Sequence, residues 1–361
     1  MLDDFLFSIF KPDYATNEIR EGHVYYKKRE YESALKHYNK AIFYDPKEAF
    51  AYYSRANAYY ALHHYQQALA DYNSYLQLNP KGTEVYFWRG YARFMTGDIE
   101  GALADFRLAQ QHKPDDLRKL LGMAQHKRQQ KDYDGALVDL NLAIQLDPAN
   151  ASLYCERGYV LLSQEQFIEA AADFTRAIER ERDNDEFYFN RAYAYFKAAD
   201  YERALADNSE AIRLNPDLMP AYNNRALARI HKDDLDGAMA DLEAALRLED
   251  RVYYVYNNRA SIHFLRHAYT LALVDHARAD ALKPDYYYTQ AGLAITHHAL
   301  GDVDEALRLW HLLVEKDERY LDATWVQKEL QWVDGLMDEA QKIITRLQPP
   351  QKKSRRKKPK A

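Results

Sequence analysis

Residues 185–218 read DEFYFNRAYAYFKAADYERALADNSEAIRLNPDL, and this stretch sets the frame for the whole chain. Tyr188, Ala192 and Tyr195 fall on one face of a helix, and Tyr201, Ala204, Asn208 and Ala211 on one face of the next. Between them, Ala198-Ala199-Asp200 is the break. Asp200 is a suitable N-cap for the second helix, and Glu202 behind it complements the positive helix N-terminus. Pro216 then ends that helix and opens the next segment. These 34 residues therefore predict two helices and a tight turn.

The same pattern extends in both directions without insertion or deletion. With residue 15 as position 1, repeats begin at 15, 49, 83, 117, 151, 185, 219, 253 and 287. Position 20 is alanine in all nine: Ala34, Ala68, Ala102, Ala136, Ala170, Ala204, Ala238, Ala272 and Ala306. Position 8 is always Gly or Ala, position 17 always apolar or aromatic, and position 16 is Asp in five repeats. Prolines recur at position 32: Pro46, Pro80, Pro114, Pro148, Pro216 and Pro284. Small residues at 8 and 20 predict a close approach of the two helices in each pair. A chain of 361 residues would otherwise suggest two or three globular domains, and the repeat overrules that count.

Composition narrows the function classes. Twelve Gly and 11 Pro against 31 Tyr suit a helical protein, and no apolar run approaches the roughly 18 residues of a membrane span. The single cysteine, Cys155, forms no internal disulfide. The start, MLDDFLFSIF, carries acids where a secretory signal carries bases, so a soluble, cytoplasmic protein is expected, or a nuclear one in a host with a nucleus. Residues 351–361, QKKSRRKKPKA, hold seven bases and no acid. Without them, 42 bases face 55 acids, a formal charge of −13 that argues against nucleic-acid binding by the body.

The 34-residue unit, with an aromatic at 4, small residue at 8, Ala at 20 and 27 and Pro at 32, resembles the tetratricopeptide repeat over residues 15–320. The resemblance implies an all-α, right-handed superhelical solenoid whose concave face is built from positions 2, 5, 9, 12 and 13 of the first helices. One departure is Arg at position 7 in six repeats: Arg55, Arg89, Arg157, Arg191, Arg225 and Arg259. Residues 321–348 keep the frame weakly, through Ala340, Ile344 and Leu347, but place Gln327, Lys328 and Gln331 at usual core positions; they are expected to be degenerate capping helices. Residues 1–14 carry the stripe Leu2, Phe5, Leu6 and Ile9, which reads either as a cap on the first repeat or as a docking helix.

On the concave positions the sequence sets an aromatic-rich face that includes Tyr53, Phe87, Tyr91, Tyr159, Phe189, Tyr193 and Tyr254. Such side chains suit protein or peptide recognition, or fill the space between neighbouring first helices. Asn190, Asn224 and Asn258 recur at position 6, with Asn223 and Asn257 before the last two. Amides at a constant step either hydrogen-bond an extended peptide backbone or bond within the array. The lysine and asparagine set with which cochaperone members of the family grip a C-terminal carboxylate is missing: Ile19, His23, Ser54, Glu84 and Trp88 stand at its positions. Cys155, at position 5, is expected on the concave surface.

No Walker loop, GxGxxG, HExxH or GxSxG motif occurs, and no cofactor or metal is expected. His263 and His297 both occupy position 11, which packs inside such repeats. The expected function is a non-catalytic scaffold holding a peptide or partner helix in the groove. A second reading is a nucleic-acid-associated factor recruited by a disordered tail, 349–361, whose Lys352, Lys353, Arg355, Arg356, Lys357, Lys358 and Lys360 would meet nucleic acid, an acidic protein or an anionic membrane. An enzyme of unrecognised activity is the third.

Overall fold

A computed structural model describes residues 2–112 and 116–348. The basic tail lies outside the described residues, as do the side chains of the Leu2, Phe5, Leu6 and Ile9 stripe. The described residues form twenty α-helices and two short 3-10 turns, with no strand. In every repeat the second helix starts at position 17, from Tyr31–Tyr44 in the first to Val303–Lys316 in the ninth. The helix Leu2–Lys27 runs without a break at residue 14, so the N-terminal segment continues into the first helix of repeat one. The chain divides into two compact units, Met1–Glu156 and Arg157–Ala361, a division that falls within the helix Ala151–Ser163.

The turn between paired helices is the same in all nine repeats. Position 15 adopts a left-handed conformation in each, although only Gly97 and Gly301 are glycines; the others are Arg29, His63, Lys131, Glu165, Ala199, Asp233 and His267. The N–H of position 16 donates to the carbonyl of position 11, as Asp200 does to Tyr195 (2.8 Å), and that of position 15 to position 12, as Ala199 does to Phe196 (2.9 Å). This six-to-one plus five-to-two pair closes the first helix. The residue that completes it also opens the second helix. Asp98, Asp132, Asp200, Asp234 and Asp302 each accept from an N–H three residues on, at 2.9–3.4 Å.

All nine position-20 alanines are fully buried. Where position 8 is glycine even a Cβ is crowded: one on Gly90 would stand 3.1 Å from Asp105 Cβ, and one on Gly158 2.8 Å from the Phe174 ring. The helices are thus held at backbone-to-backbone range, as the small residues predict.

The position-7 arginines form a clasp inside each pair. Arg55, Arg89, Arg157, Arg191, Arg225 and Arg259 each donate through Nε and Nη2 to both oxygens of an aspartate sixteen residues on: Asp71, Asp105, Asp173, Asp207, Asp241 and Asp275. All twelve bonds measure 2.6–2.9 Å. In repeats two, three, six and seven the remaining Nη1 reaches position 25 of the preceding repeat (Asn39, Asn73, Thr175, Ser209), stitching neighbours together. Repeat four has Met123 at position 7, and its buried Asp139 recruits Lys127 (2.8 Å) and the Tyr91 hydroxyl (2.6 Å) instead.

The C-terminal pair breaks the frame. Its left-handed residue is Gln331, at position 11 rather than 15, so the helix Ala323–Leu330 has only eight residues. The following helix, Asp334–Leu347, packs on Tyr253–Leu265 and Tyr287–Ala299 as well as on Val303–Lys316. Leu336, Met337, Ala340, Ile343 and Ile344 are buried there.

Candidate functional site

In the first unit, positions 9, 12 and 13 of repeat one and 2, 5, 6 and 9 of repeat two converge. His23, Tyr26, Lys27, Phe50, Tyr53, Ser54 and Asn57, with Tyr38 beneath, line a cavity of about 220 Å³. Gly22 makes it possible: a Cβ there would lie 2.4 Å from Tyr38 Cε1, so the ring lies directly over the glycine. His23 meets Tyr38 and Phe50 edge-on at 5.7 and 6.2 Å and hydrogen-bonds Ser54 Oγ at 3.0 Å. Burial, with Lys27 nearby, lowers the pKa of His23, so the ring is neutral. The Tyr38 hydroxyl is buried and has no hydrogen-bond partner among the described residues. Burial, and Tyr26 beside it, push its pKa far up, so it remains a donor. Phe50 is 45% exposed and tilts against half-buried Tyr53 at 5.4 Å.

Two other residues of the expected concave face are not open. Phe87 and Tyr91 are 1% and 2% exposed, enclosed in one core with Phe106, Leu120 and Leu142. Phe87 meets Trp88 and Phe106 edge-on at 5.0 and 5.5 Å. Tyr91 donates to Asp139, whose carboxyl pKa burial raises while Lys127 and Tyr91 pull it back. Cys155, expected at the surface, is buried.

In the second unit the asparagines are engaged inside the array. Asn190 donates to Tyr159 Oη (2.7 Å) and to the Glu186 carbonyl (2.8 Å). Asn258 donates to Asn223 Oδ1 at 2.8 Å, and Asn223 to Asn224 Oδ1 at 3.4 Å. Asn257 donates to Thr289 Oγ1 at 2.8 Å while its Oδ1 meets His276 Nδ1 at 3.2 Å. Asn190, Asn223, Asn257 and Asn258 are buried, and Asn224 is half-buried. Tyr159, Phe189 and Tyr254 are half-buried and Tyr193 is 41% exposed, so the aromatic face is partly open here. Near the C-terminus, Phe196, Lys197, Tyr201 and His231 face Gln327, Lys328 and the turn Gln331–Asp334 across a cavity of about 530 Å³. The polar residues that the sequence puts at core positions thus line a cavity.

Of the histidines, His263 lies 3.7 Å from Asp275, His297 3.1 Å from Asp302, and His298 pairs with Glu339. Among the described residues no group of three or more His, Cys, Asp or Glu side chains is arranged to hold a metal ion. No helix among them is long and apolar enough to cross a membrane.

Models of the TPR repeat match residues 22–63 and 124–165, and models of the tetratricopeptide repeat match 53–116, 155–218 and 220–251. The chain belongs to the tetratricopeptide repeat family. No curated protein matches it. Among solved structures, PilF of Pseudomonas aeruginosa is 18% identical, covers 59% of this chain and 97% of its own, and has a TM-score of 0.50. Yeast Tom70 is 15% identical over 93% of this chain and 96% of its own, at 0.41. YrrB, described as a TPR protein with an unusual peptide-binding site, is 20% identical over 51% and 95%, at 0.43. At these identities the likeness to PilF shows the fold. Tetratricopeptide repeat proteins generally mediate protein–protein interactions, and this chain has that architecture.

The signal that sequence reading missed was present. Asp at position 23 accompanies every Arg at position 7, and that joint occurrence marks the arginines as structural clasps.

Proposed function

We propose that this protein is a non-catalytic scaffold of the cytoplasm that holds a segment of a partner protein on the concave first-helix faces of its repeats. The observation that carries the reading is the cavity of repeats one and two. It is walled by aromatic rings, is open through Phe50, and has at its base a buried hydroxyl with no partner among the described residues. A partner side chain with an apolar body and a hydrogen-bond acceptor fits that chemistry, since an unpaired buried donor costs about 1–3 kcal/mol until it is satisfied. The second unit has an aromatic face of its own, Tyr193, Phe189, Tyr159 and Tyr254, with Asn224 the most accessible of the asparagines.

The test is a photo-crosslinking residue at Tyr53, compared with one at exposed Phe43 on the second helix of repeat one. In native lysate, a discrete adduct from position 53 that is absent from position 43 supports the reading. Equal labelling from both positions would count against it.

A further inference from the structure

Part of the first-helix face in the second unit is already covered by the chain itself. Because the helix Ala323–Leu330 ends four positions early, the turn after it swings across repeats seven to nine instead of stacking beyond them. Trp332 is 3% exposed and joins the core of Phe264, Ile295 and Trp310. It meets Tyr288, at position 2 of repeat nine, edge-on at 5.8 Å. Val333, like Leu265, packs against the core of repeats seven and eight, around Ile230 and Ile262. The backbone carbonyl of Gln331 accepts from the ring of His231, which stacks on Tyr201 at 4.4 Å.

This is how a peptide ligand sits: one aromatic anchor, one β-branched neighbour and a backbone bond. The flanking helices have buried residues of their own. Val326 and Leu330 before the turn, and Leu336, Ala340 and Ile343 after it, are buried in the same core as Trp332 and give each helix contacts beyond those of the turn. The cavity of about 530 Å³ alongside, edged by exposed Gln327 and Lys328, gives an incoming segment a place to start.

We infer that the concave face of repeats seven to nine is a receptor for a short tryptophan-led turn, occupied in cis by Gln331–Asp334 until a partner segment of the same chemistry displaces it. This rests on the reading of the concave faces as partner surfaces. The cis segment competes at the high effective concentration of a tethered ligand, so a partner's apparent affinity falls by the fraction of chains in which the seat is open.

The probe is a fluorescein-labelled peptide of residues 328–336, KELQWVDGL, titrated into the full chain. The wild-type chain should bind it weakly. The Trp332→Ala chain, with the seat vacated, should bind at least tenfold more tightly, and a probe carrying Ala in place of its Trp should lose that gain. Val333→Asp, which expels the turn by placing a charge against the core around Ile230 and Ile262, should act in the same direction. Equal affinity of wild-type and folded variants for the probe would overturn the inference. If both variants fail to fold, amide exchange of the wild-type chain decides. Opening at 331–333 faster than in the helix Asp334–Leu347 supports the cis-ligand, and equal protection refutes it. Failure here leaves the Tyr53 crosslink in the first unit untouched, and failure of that crosslink leaves the peptide titration untouched.

Discussion

Arg191 and Asp207, sixteen residues apart, are joined by two parallel hydrogen bonds of 2.7 Å, Nε to Oδ2 and Nη2 to Oδ1. Tyr188 lies under the guanidinium at 5.6 Å, and Nη1 continues to Thr175 of the preceding repeat at 3.0 Å. Burial works against the arginine's charge, but the hydrogen bonds and charge of Asp207 outweigh it and raise its pKa. Removing one partner strands the other. Arg191→Met should cost about 3–5 kcal/mol, and Arg191→Met with Asp207→Leu clearly less than the single change. Urea unfolding followed by circular dichroism measures both, and a double variant as unstable as the single one would contradict the stranded-charge account.

The asparagines invite a similar separation of roles. Asn258 and Asn223 are buried and bonded to each other at 2.8 Å. Asn258→Ala should therefore destabilise the second unit by about 1–2 kcal/mol with no partner present, because Asn223 Oδ1 loses its donor. An unchanged urea midpoint would show that this amide is free for a ligand.

His276 is fully enclosed, and burial lowers its pKa to about 3. Its ring abuts Gly292, where a Cβ would lie 2.6 Å from Nε2, and Nδ1–H donates to Asn257. The folded value lies below the unfolded one of about 6.5, so the folded state binds fewer protons between them. The stability that neutral His276 confers is complete above pH 6.5 and is lost as the pH falls toward 3, at about 1.4 kcal/mol per unit. His276→Asn, which places here the residue that Asn208 supplies in repeat six, should flatten the difference in stability between pH 7 and pH 4.5. Parallel pH profiles for the two proteins would remove His276 as the cause.

Ala199 occupies the left-handed turn at φ 59°, where its Cβ is strained. Gly97 and Gly301 meet the same requirement without strain at φ 89° and 88°. Ala199→Gly should raise stability by about 0.5–1 kcal/mol, the relief of strain exceeding the added freedom of the unfolded chain. A lowered melting temperature would mean that the Ala199 methyl makes contacts worth more than the strain.

How much could be read in advance follows from the range of the interactions. The helix pairs, the Asp caps and the buried alanines were legible because each depends on neighbours within one repeat. The turn at position 15 was not legible, since seven of its nine residues are not glycines; the hydrogen bonds of positions 15 and 16 impose it. Phe87 and Tyr91 could have been either groove residues or fillers and are buried, because Phe106, Leu120 and Leu142 close around them.

The 34-residue period, and with it the family and the all-α solenoid, was determined by the amino-acid sequence alone, since a repeating pattern of small and apolar residues can bury itself only by stacking like on like. Tertiary structure decided which aromatic and amide groups remain available, and that Trp332 turns back onto repeats eight and nine. Those outcomes depend on contacts between residues tens of positions apart, such as Trp332 with Tyr288 and Tyr91 with Asp139, and no local spacing encodes them.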